Sequence, residues 1–283
     1  MIENKVINTY SPNNLYRQGL LKIFKKMVVN IIDSRELIWQ LFIRDFKARY
    51  KQSLLGWIWV FLMPIVTMGT FLLLNISGII KIGDIPVPYP IFGLLGFSIW
   101  QIFSNGWLVL TSSIDSAGTL VSQISFPKEA LIVAAISEVV VDFLIRLVLV
   151  LVVYLIYGLS PSFSFFLLPF FLLPIFLLTL GLGFVTSILA VVIRDIKNFI
   201  NVGMSFFLFL MPIMYTIPEK GFLAKVNHYN PIFFLVSAPR DIIISGKIEF
   251  PIEFLLSSIL ALIVFIFGWL FFYISQPKIT ERI

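Results

Sequence analysis

Three charged residues interrupt an otherwise apolar stretch of the sequence, and their spacing brings them together. Glu138, Asp142 and Arg146 follow one another at intervals of four, so on a helix they project from nearly the same face. Asp142 and Arg146 are in the favourable acid-first order for an ion pair, which leaves Glu138 to be protonated or bonded to a neighbouring helix. Such a cluster either fixes helix packing or lines a wet, channel-facing strip. Because an adjacent base already satisfies Asp142, the pattern favours the structural role.

Few other residues could support catalysis or metal binding. The chain has no G-x-x-x-x-G-K-[ST] phosphate loop, no H-E-x-x-H motif and no cysteine, and its one histidine is His228. A lone histidine cannot form a metal cluster, and without cysteine there is no thiol nucleophile, thiolate site or disulfide framework. We therefore predict no catalytic residue, no metal and no cofactor on this chain.

The composition places these residues in a membrane. Of 283 residues, 59% are hydrophobic and only 13% are charged, and the mean hydropathy is +1.00. The apolar runs reach the length of about 20 residues that crosses a ~30 Å hydrocarbon core, which excludes a soluble enzyme. We predict an all-α integral membrane protein with six transmembrane helices, near residues 54–80, 89–112, 130–157, 163–192, 199–217 and 254–274.

The third predicted span contains the charge cluster. If this helix enters the membrane near Ala130, Asp142 lies about 18 Å deep, close to the middle of the bilayer. A lone charge there costs about 3 kcal/mol or more. The cluster must therefore be compensated within the protein.

Lys and Arg residues are distributed unevenly between the loops, and this predicts the orientation. With the N-terminus inside, fifteen of the 21 basic residues lie on the inner side and five on the outer side, and Arg146 lies within a span. Because translocated loops are depleted in basic residues, we predict that both termini are cytoplasmic.

The segments outside the spans are short, and two of them have a helical pattern. Residues 1–53 form a basic cytoplasmic segment in which 15–32 is predicted as an amphipathic interface helix on an anionic membrane surface. A second helix is predicted over 33–50, with Asp33 as its cap and Glu36 in its first turn. Residues 54–274 form the six-helix domain and 275–283 a cytoplasmic tail. On the outer side, residues 216–250 are too apolar for water and are predicted to re-enter the membrane as two short helices broken near Asn230 and Pro231.

Aromatic residues make up 16% of the chain, and several tryptophans fall near predicted membrane borders. Anchoring at the membrane interface accounts for most of them. Some could instead line a conduit, where sugar rings pack their C–H faces on aromatic side chains. For Trp57, Trp59, Trp100 and Trp107, composition alone does not distinguish interface anchoring from lining a conduit.

Several segments resemble the permease subunits of type-2 ABC exporters of polysaccharides, of the O-antigen and lipopolysaccharide export type. The resemblance begins at RDFKARYKQSLLGWIWVFLMP (44–64) and continues at ISFPKEAL (124–131), GLGFVTSILAVVIRDIKNF (181–199), LMPIMY (210–215) and NPI (230–232) with Arg240. These segments follow the order found in the family and cover most of the chain. The long basic extension before Asp33 departs from the family pattern.

The resemblance implies partners that the chain itself does not contain. It implies a homodimer in the cytoplasmic (inner) membrane of a bacterium, with two copies of a separate cytoplasmic ABC ATPase that bind ATP and Mg²⁺. It implies no nucleic acid partner. The helix before the first span and a short helix within 111–127 would contact the ATPases, through Arg44, Asp45, Lys47, Arg49, Asp115 and Pro127. Arg194 and Asp195 match the family's Arg-Asp pair at the inner end of the fourth span.

The function implied is export of a lipid-linked polysaccharide, most simply an O-antigen, through a channel between two copies. ATP-dependent closure of the ATPases would open and close the channel, and the outer hairpin with Asn230, Pro231 and Arg240 would form its external gate. Two alternatives within this class are export of teichoic acid or of capsular polysaccharide. From other classes, a membrane-embedded glycosyl or acyl transferase would need convergent acids or a histidine. A secondary transporter would be expected to show an internal repeat.

Overall fold

The structure is a computed structural model that describes residues 20–51, 58–79, 82–118, 126–217 and 220–279. Within these ranges every regular element is helical and none is a strand. In chain order the helices are α1 Leu20–Asp33, α2 Arg35–Lys51, α3 Ile58–Ile76, α4 Tyr89–Ser116, α5 Glu129–Ile156, α6 Leu168–Val192, α7 Ile196–Leu210, α8 Phe222–His228, α9 Pro231–Ile244 and α10 Pro251–Ile279, and a 3₁₀ turn at Phe163–Leu167 precedes α6.

Four helical segments in the described residues are long and apolar enough to cross a membrane. They are Tyr89–Ser116, Glu129–Ile156, Phe163–Val192 and Pro251–Gln276, which coincide with the second, third, fourth and sixth predicted spans. Helices α3 and α7 lie where the first and fifth spans are predicted, but they are shorter. The 15 residues of α7 reach only about 22 Å at 1.5 Å per residue.

Glycines allow the central helices to approach closely. Helix α6 packs most extensively against α10 and α4. A Cβ atom built at Gly268 of α10 would lie 2.1 Å from the carbonyl oxygen of Gly181 in α6, and one at Gly181 would lie 2.6 Å from the carbonyl oxygen of Val264. Small residues are the usual means of bringing membrane helices into backbone contact. Here they bring two of the long apolar helices, α6 and α10, into backbone contact.

The buried side chains form a large core and a second one at one end. The large core is built from α4, α5, α6 and α9. The second core includes Leu41 and Phe42 of α2, Ile114 near the end of α4, Leu131 near the start of α5 and Phe272 near the end of α10. We call this the α2 end of the bundle. The opposite end, which includes α8 and α9, we call the hairpin end.

The two helices at the start of the described chain differ in one boundary from the sequence prediction. Asp33 is the last residue of α1, and α2 begins at Arg35, so the prediction that Asp33 starts the second helix is wrong. The backbone amide of Ile38 donates to the carbonyl oxygen of Ser34, which makes Ser34 rather than Asp33 the N-cap residue of α2. Glu36 lies in the first turn as predicted. Residues 15–19 of the predicted interface helix lie outside the described residues.

Candidate functional site

Helix α2 lies against the start of α5. Leu41 and Phe42 are buried in the second core, and the side of α2 that includes Lys47 is exposed. Arg49 follows Phe42 by seven residues, which is two helical turns, so it lies on the face of α2 that meets the bundle. This packing brings the end of α2 beside the middle turns of α5.

At this contact, one guanidinium engages two carboxylates. Arg49 donates from Nη1 to Oδ2 of Asp142 at 2.6 Å and from Nη2 to Oε2 of Glu138. Both pairs are ion pairs, and the side chains of Glu138 and Asp142 are only 7% and 4% exposed, against 31% for Arg49. A planar guanidinium has the donors to bind two acceptors at once. We call Arg49, Glu138 and Asp142 the charge triad.

The charge triad combines residues that the sequence analysis treated separately. Glu138 is bonded to a neighbouring helix, which was one of the two states expected for it. The sequence predicts Arg49 among the ATPase-facing charges, whereas here it also binds the two acids. The pairing of Asp142 with Arg146 stays a prediction. The interval of seven between Phe42 and Arg49 could have placed Arg49 on the buried face. Pairing across 93 residues of sequence has no local signal.

The other candidate coupling residues lie at the α2 end but do not form one cluster. Arg44 and Asp45 pair with each other at 2.7 Å on the exposed side of α2. Asp115, near the end of α4, forms an ion pair with Lys197 of α7, a partner that the sequence analysis did not identify. The remaining two are the exposed Lys47 and the half-exposed Pro127.

Arg194 and Asp195 occupy the turn between α6 and α7. Both residues are exposed. The backbone amide of Ile193 donates to the carbonyl oxygen of Leu189 and closes α6, while the carbonyl oxygen of Asp195 accepts from Phe199 in the first turn of α7. The pair therefore lies at a surface turn of the α2 end, next to the ion pair of Lys197.

A third acid of α5, Glu129, lies near this end and has no counterpart among the residues predicted from the sequence. Glu129 is fully buried, and its Oε1 accepts from Nε2 of Gln276 at 3.3 Å. The preceding Lys128 places its ammonium 4.5 Å from the ring centroid of Phe126, and burial lowers the pKa of this lysine. These contacts connect the start of α5 to the end of α10.

The candidate channel tryptophans have different surroundings. Trp100 is 2% exposed within the large core, so its ring has no free surface for a conduit between copies in this conformation. Trp107 is half-buried, and its indole N–H donates to Oγ1 of Thr186 at 3.1 Å, which fixes α4 to α6. Trp59 is exposed on α3, and Trp57 lies outside the described residues.

At the hairpin end, α8 and α9 form the expected helix pair with its break at the expected place. Asn230 caps α9, since its Oδ1 accepts from the amide of Ile232 at 3.1 Å, and Pro231 is the first residue of that helix. The buried Asn227 donates from Nδ2 to the carbonyl oxygens of Leu210 and Leu223, both at 2.9 Å. The hairpin is thereby attached to the end of α7.

Arg240 belongs to α9 of this hairpin, and its side chain is buried. Its guanidinium carbon is 4.1 Å from the ring centroid of Phe92, its Nη1 donates to the carbonyl oxygen of Ile213 at 3.2 Å, and its Nε is 3.7 Å from Oδ1 of Asp241. Burial raises the pKa of the Asp241 carboxyl to about 6, and the charge of Arg240 opposes that rise. Arg240 therefore joins α9 to α4 and to the segment that follows α7.

Comparison with known proteins relates this geometry to a family. Residues 36–244 match the ABC-2 type transporter family. The chain is 26% identical over 220 residues to the O-antigen export system permease protein RfbA of Myxococcus xanthus, covering 77% of this chain and 84% of that protein. It is 24% identical over 212 residues to the protein of the same name from Klebsiella pneumoniae, covering 73% and 80%. The family match extends from α2 through the charge triad to the end of α9, and the chain belongs to the ABC-2 type transporter family.

Proposed function

We propose that this protein is the transmembrane subunit of an ATP-driven exporter that moves a lipid-linked polysaccharide, of the O-antigen type, across the cytoplasmic membrane. The observation on which the proposal depends is the similarity over about three quarters of the chain to permeases named for O-antigen export, within a family match that covers most of the helical bundle.

In the proposed topology six helices cross the membrane, with both termini in the cytoplasm. Four are the long apolar helices, and the other two are α3 and α7. The excess of basic residues in the segments at the α2 end supports a cytoplasmic location for that end. The hairpin of α8 and α9 then lies on the outer side and dips into the membrane as the external gate.

The proposed assembly is a homodimer with two cytoplasmic ABC ATPases, and the polysaccharide passes between the two copies. The exposed apolar residues of α3 and α7 support this arrangement, since both helices lie at the margin of the single-chain bundle and expose Met63, Val66, Val202 and Phe206. A polymer is too long for a closed pocket, so a continuous conduit between subunits suits it better. ATP and Mg²⁺ are bound by the ATPases.

In the proposed mechanism, the charge triad transmits force from α2 into the membrane. The exposed side of α2, with Arg44 and Lys47, meets the ATPase. When the ATPases close, α2 moves, and the ion pairs of Arg49 with Glu138 and Asp142 pull α5 with it. Because packed helices shift between discrete arrangements rather than deform continuously, such a pull can change the conduit from closed to open.

The experiment that tests the proposal compares the purified chain alone with the chain copurified with its ATPase under mild detergent. We expect ATP hydrolysis only in the complex, because the chain has no phosphate loop. In cells, deletion of the gene should trap lipid-linked polysaccharide inside the cytoplasmic membrane. Analysis of the trapped polymer separates O-antigen from capsule and teichoic acid. Robust ATP turnover by the isolated chain, or normal export without it, would reject the proposal.

A further inference from the structure

A cavity of about 480 Å³ lies at the hairpin end, between α9, the segment that follows it and the loop before α4. Its size is within the range of small-molecule binding sites. The charged residues among its described lining are Asp84, Arg240, Asp241, Lys247 and Glu249. Asp84, Lys247 and Glu249 are exposed, and Arg240 is 5% exposed. The cavity therefore has a buried charged wall and exposed charges around it.

Arg240 has unused hydrogen-bonding capacity in this wall. A guanidinium has five N–H donors, and Arg240 makes one hydrogen bond to the described residues, from Nη1 to Ile213. Its Nε and the Oδ2 atom of Asp241 are buried and have no hydrogen-bond partner among those residues. Buried polar groups are normally satisfied. Arg240 and Asp241 both line the cavity, so a small side-chain rotation would bring this unsatisfied donor and acceptor to a ligand that can serve both.

The hydrogen-bonding groups and charges of the cavity lining indicate which class of ligand fits it. A hydroxyl group both donates and accepts, so it can accept from Arg240 while it donates to Asp241, whose terminal torsion is broad enough to turn Oδ2 towards the cavity. The described lining has three carboxylates against two cations, a balance that disfavours an anion. A neutral polyhydroxyl compound can use every one of these groups.

We propose that this cavity binds one neutral sugar residue of the exported glycan on the outer side of the membrane. The inference rests on the proposed function and its orientation. In each subunit, Asp84, Asp241 and Glu249 accept hydrogen bonds from sugar hydroxyls, and Arg240 and Lys247 donate to them. The site would hold a segment of the polymer that has already crossed, and so oppose its return between export events.

The test uses the full chain in lipid nanodiscs, without the ATPase, and saturation-transfer NMR. The probes are glucose, galactose, mannose and rhamnose, with glucuronate and inorganic phosphate as anions. We expect transfer to at least one neutral sugar and none to the anions. Glu249→Gln and Asp84→Asn should each weaken sugar binding about tenfold, the effect of losing one charge-assisted hydrogen bond. Arg240 is not replaced, because its loss would leave the Asp241 carboxylate buried without its ion-pair partner and could destabilise the protein.

The matched control is Glu253→Gln, which removes the same charge from the hairpin end at a residue that does not line this cavity. It should bind sugar as the parent does. Absence of transfer to every neutral sugar, stronger transfer to an anion, or equal binding by all variants would overturn the inference. Such a result would leave the proposed function standing if cells still need the chain for export. Loss of that requirement would reject the function whatever the binding result.

Discussion

Arg49 compensates two acids that would otherwise be costly to bury. Glu138 and Asp142 are one turn apart and nearly buried, so each would disfavour the charge of the other. The guanidinium between them removes this repulsion and supplies charge-assisted hydrogen bonds to both. Breaking a buried ion pair from one side is far more costly than replacing both sides with neutral groups. The triad therefore fixes the position of α2 on α5.

We predict that Arg49→Gln destabilises the protein by about 3 kcal/mol, the lower end for a broken buried pair because the guanidinium is partly exposed. Asp142→Asn should cost less, since Arg49 keeps its contact with Glu138. The triple change Arg49→Gln, Glu138→Gln and Asp142→Asn should recover most of the loss. Thermal unfolding of the detergent-purified chain measures all three variants.

The control for this series is Lys47→Gln, which neutralises an exposed base on the same helix and should change stability by no more than about 0.5 kcal/mol. If Arg49→Gln unfolds at the same temperature as Lys47→Gln, the triad does not hold α2 in place. If the triple variant is stable but export is lost, the triad is needed for movement rather than for folding.

Sequence reasoning at this scale identified the acids but not that Arg49 pairs with both of them. The interval of four between Glu138 and Asp142 is a local property of one helix, and it correctly placed both on one face. Their pairing with Arg49 depends on how α2 docks on α5, which follows from burial of Leu41 and Phe42 in the second core. Tertiary packing of this kind cannot be read from one periodic segment.

At the scale of elements, the close contact of α6 with α10 depends on two glycines. The positions of the long helices were predictable, because each is a predominantly apolar run long enough to cross a membrane. The contact between them was not, since a glycine in an apolar run gives no sign of which helix it meets. Gly181 and Gly268 face each other with no room for a side chain, and they bring the fourth and sixth predicted spans into backbone contact.

We predict that Gly268→Ala destabilises the bundle by about 1 to 3 kcal/mol, the usual cost of overpacking, because its Cβ would lie 2.1 Å from a backbone oxygen. The control is Gly69→Ala in α3, where the added Cβ would meet no atom within 4 Å beyond the backbone of its own helix and its chain neighbours. There alanine should be neutral or stabilising, as a better helix former than glycine. Thermal unfolding in detergent would contradict the prediction if the two variants behaved alike.

At the scale of the whole molecule, the number of crossings decides which loops share a side of the membrane. The chain has no cysteine, so a single introduced thiol reports one position. We predict that Ser245→Cys reacts with a membrane-impermeant maleimide in intact spheroplasts, and that Asp195→Cys reacts only after permeabilisation. Both residues are exposed. If α7 does not cross, the two positions lie on the same side and label together.

Helix α7 has an exposed apolar face that could contact a second copy of the chain. Ile200 is its one buried residue, while Phe199, Val202, Phe206 and Phe209 are exposed at intervals of three and four, which place them along one face. Exposure to lipid and burial against a second copy would both suit such a face. The proposed conduit between two copies favours the second, because a helix at the margin of the bundle lies where the copies would meet.

We predict that this face of α7 meets α7 of a second copy. In a series of single replacements, Phe199→Cys, Val202→Cys, Phe206→Cys and Phe209→Cys, at least one should form a disulfide-linked dimer when membranes are oxidised, because residues close to a two-fold axis meet their own counterparts. Ile263→Cys is the control, since Ile263 is also exposed but lies on α10, away from α7. Dimers in the control alone, or in none of the five variants, would show that α7 faces lipid and would remove this helix from the proposed conduit.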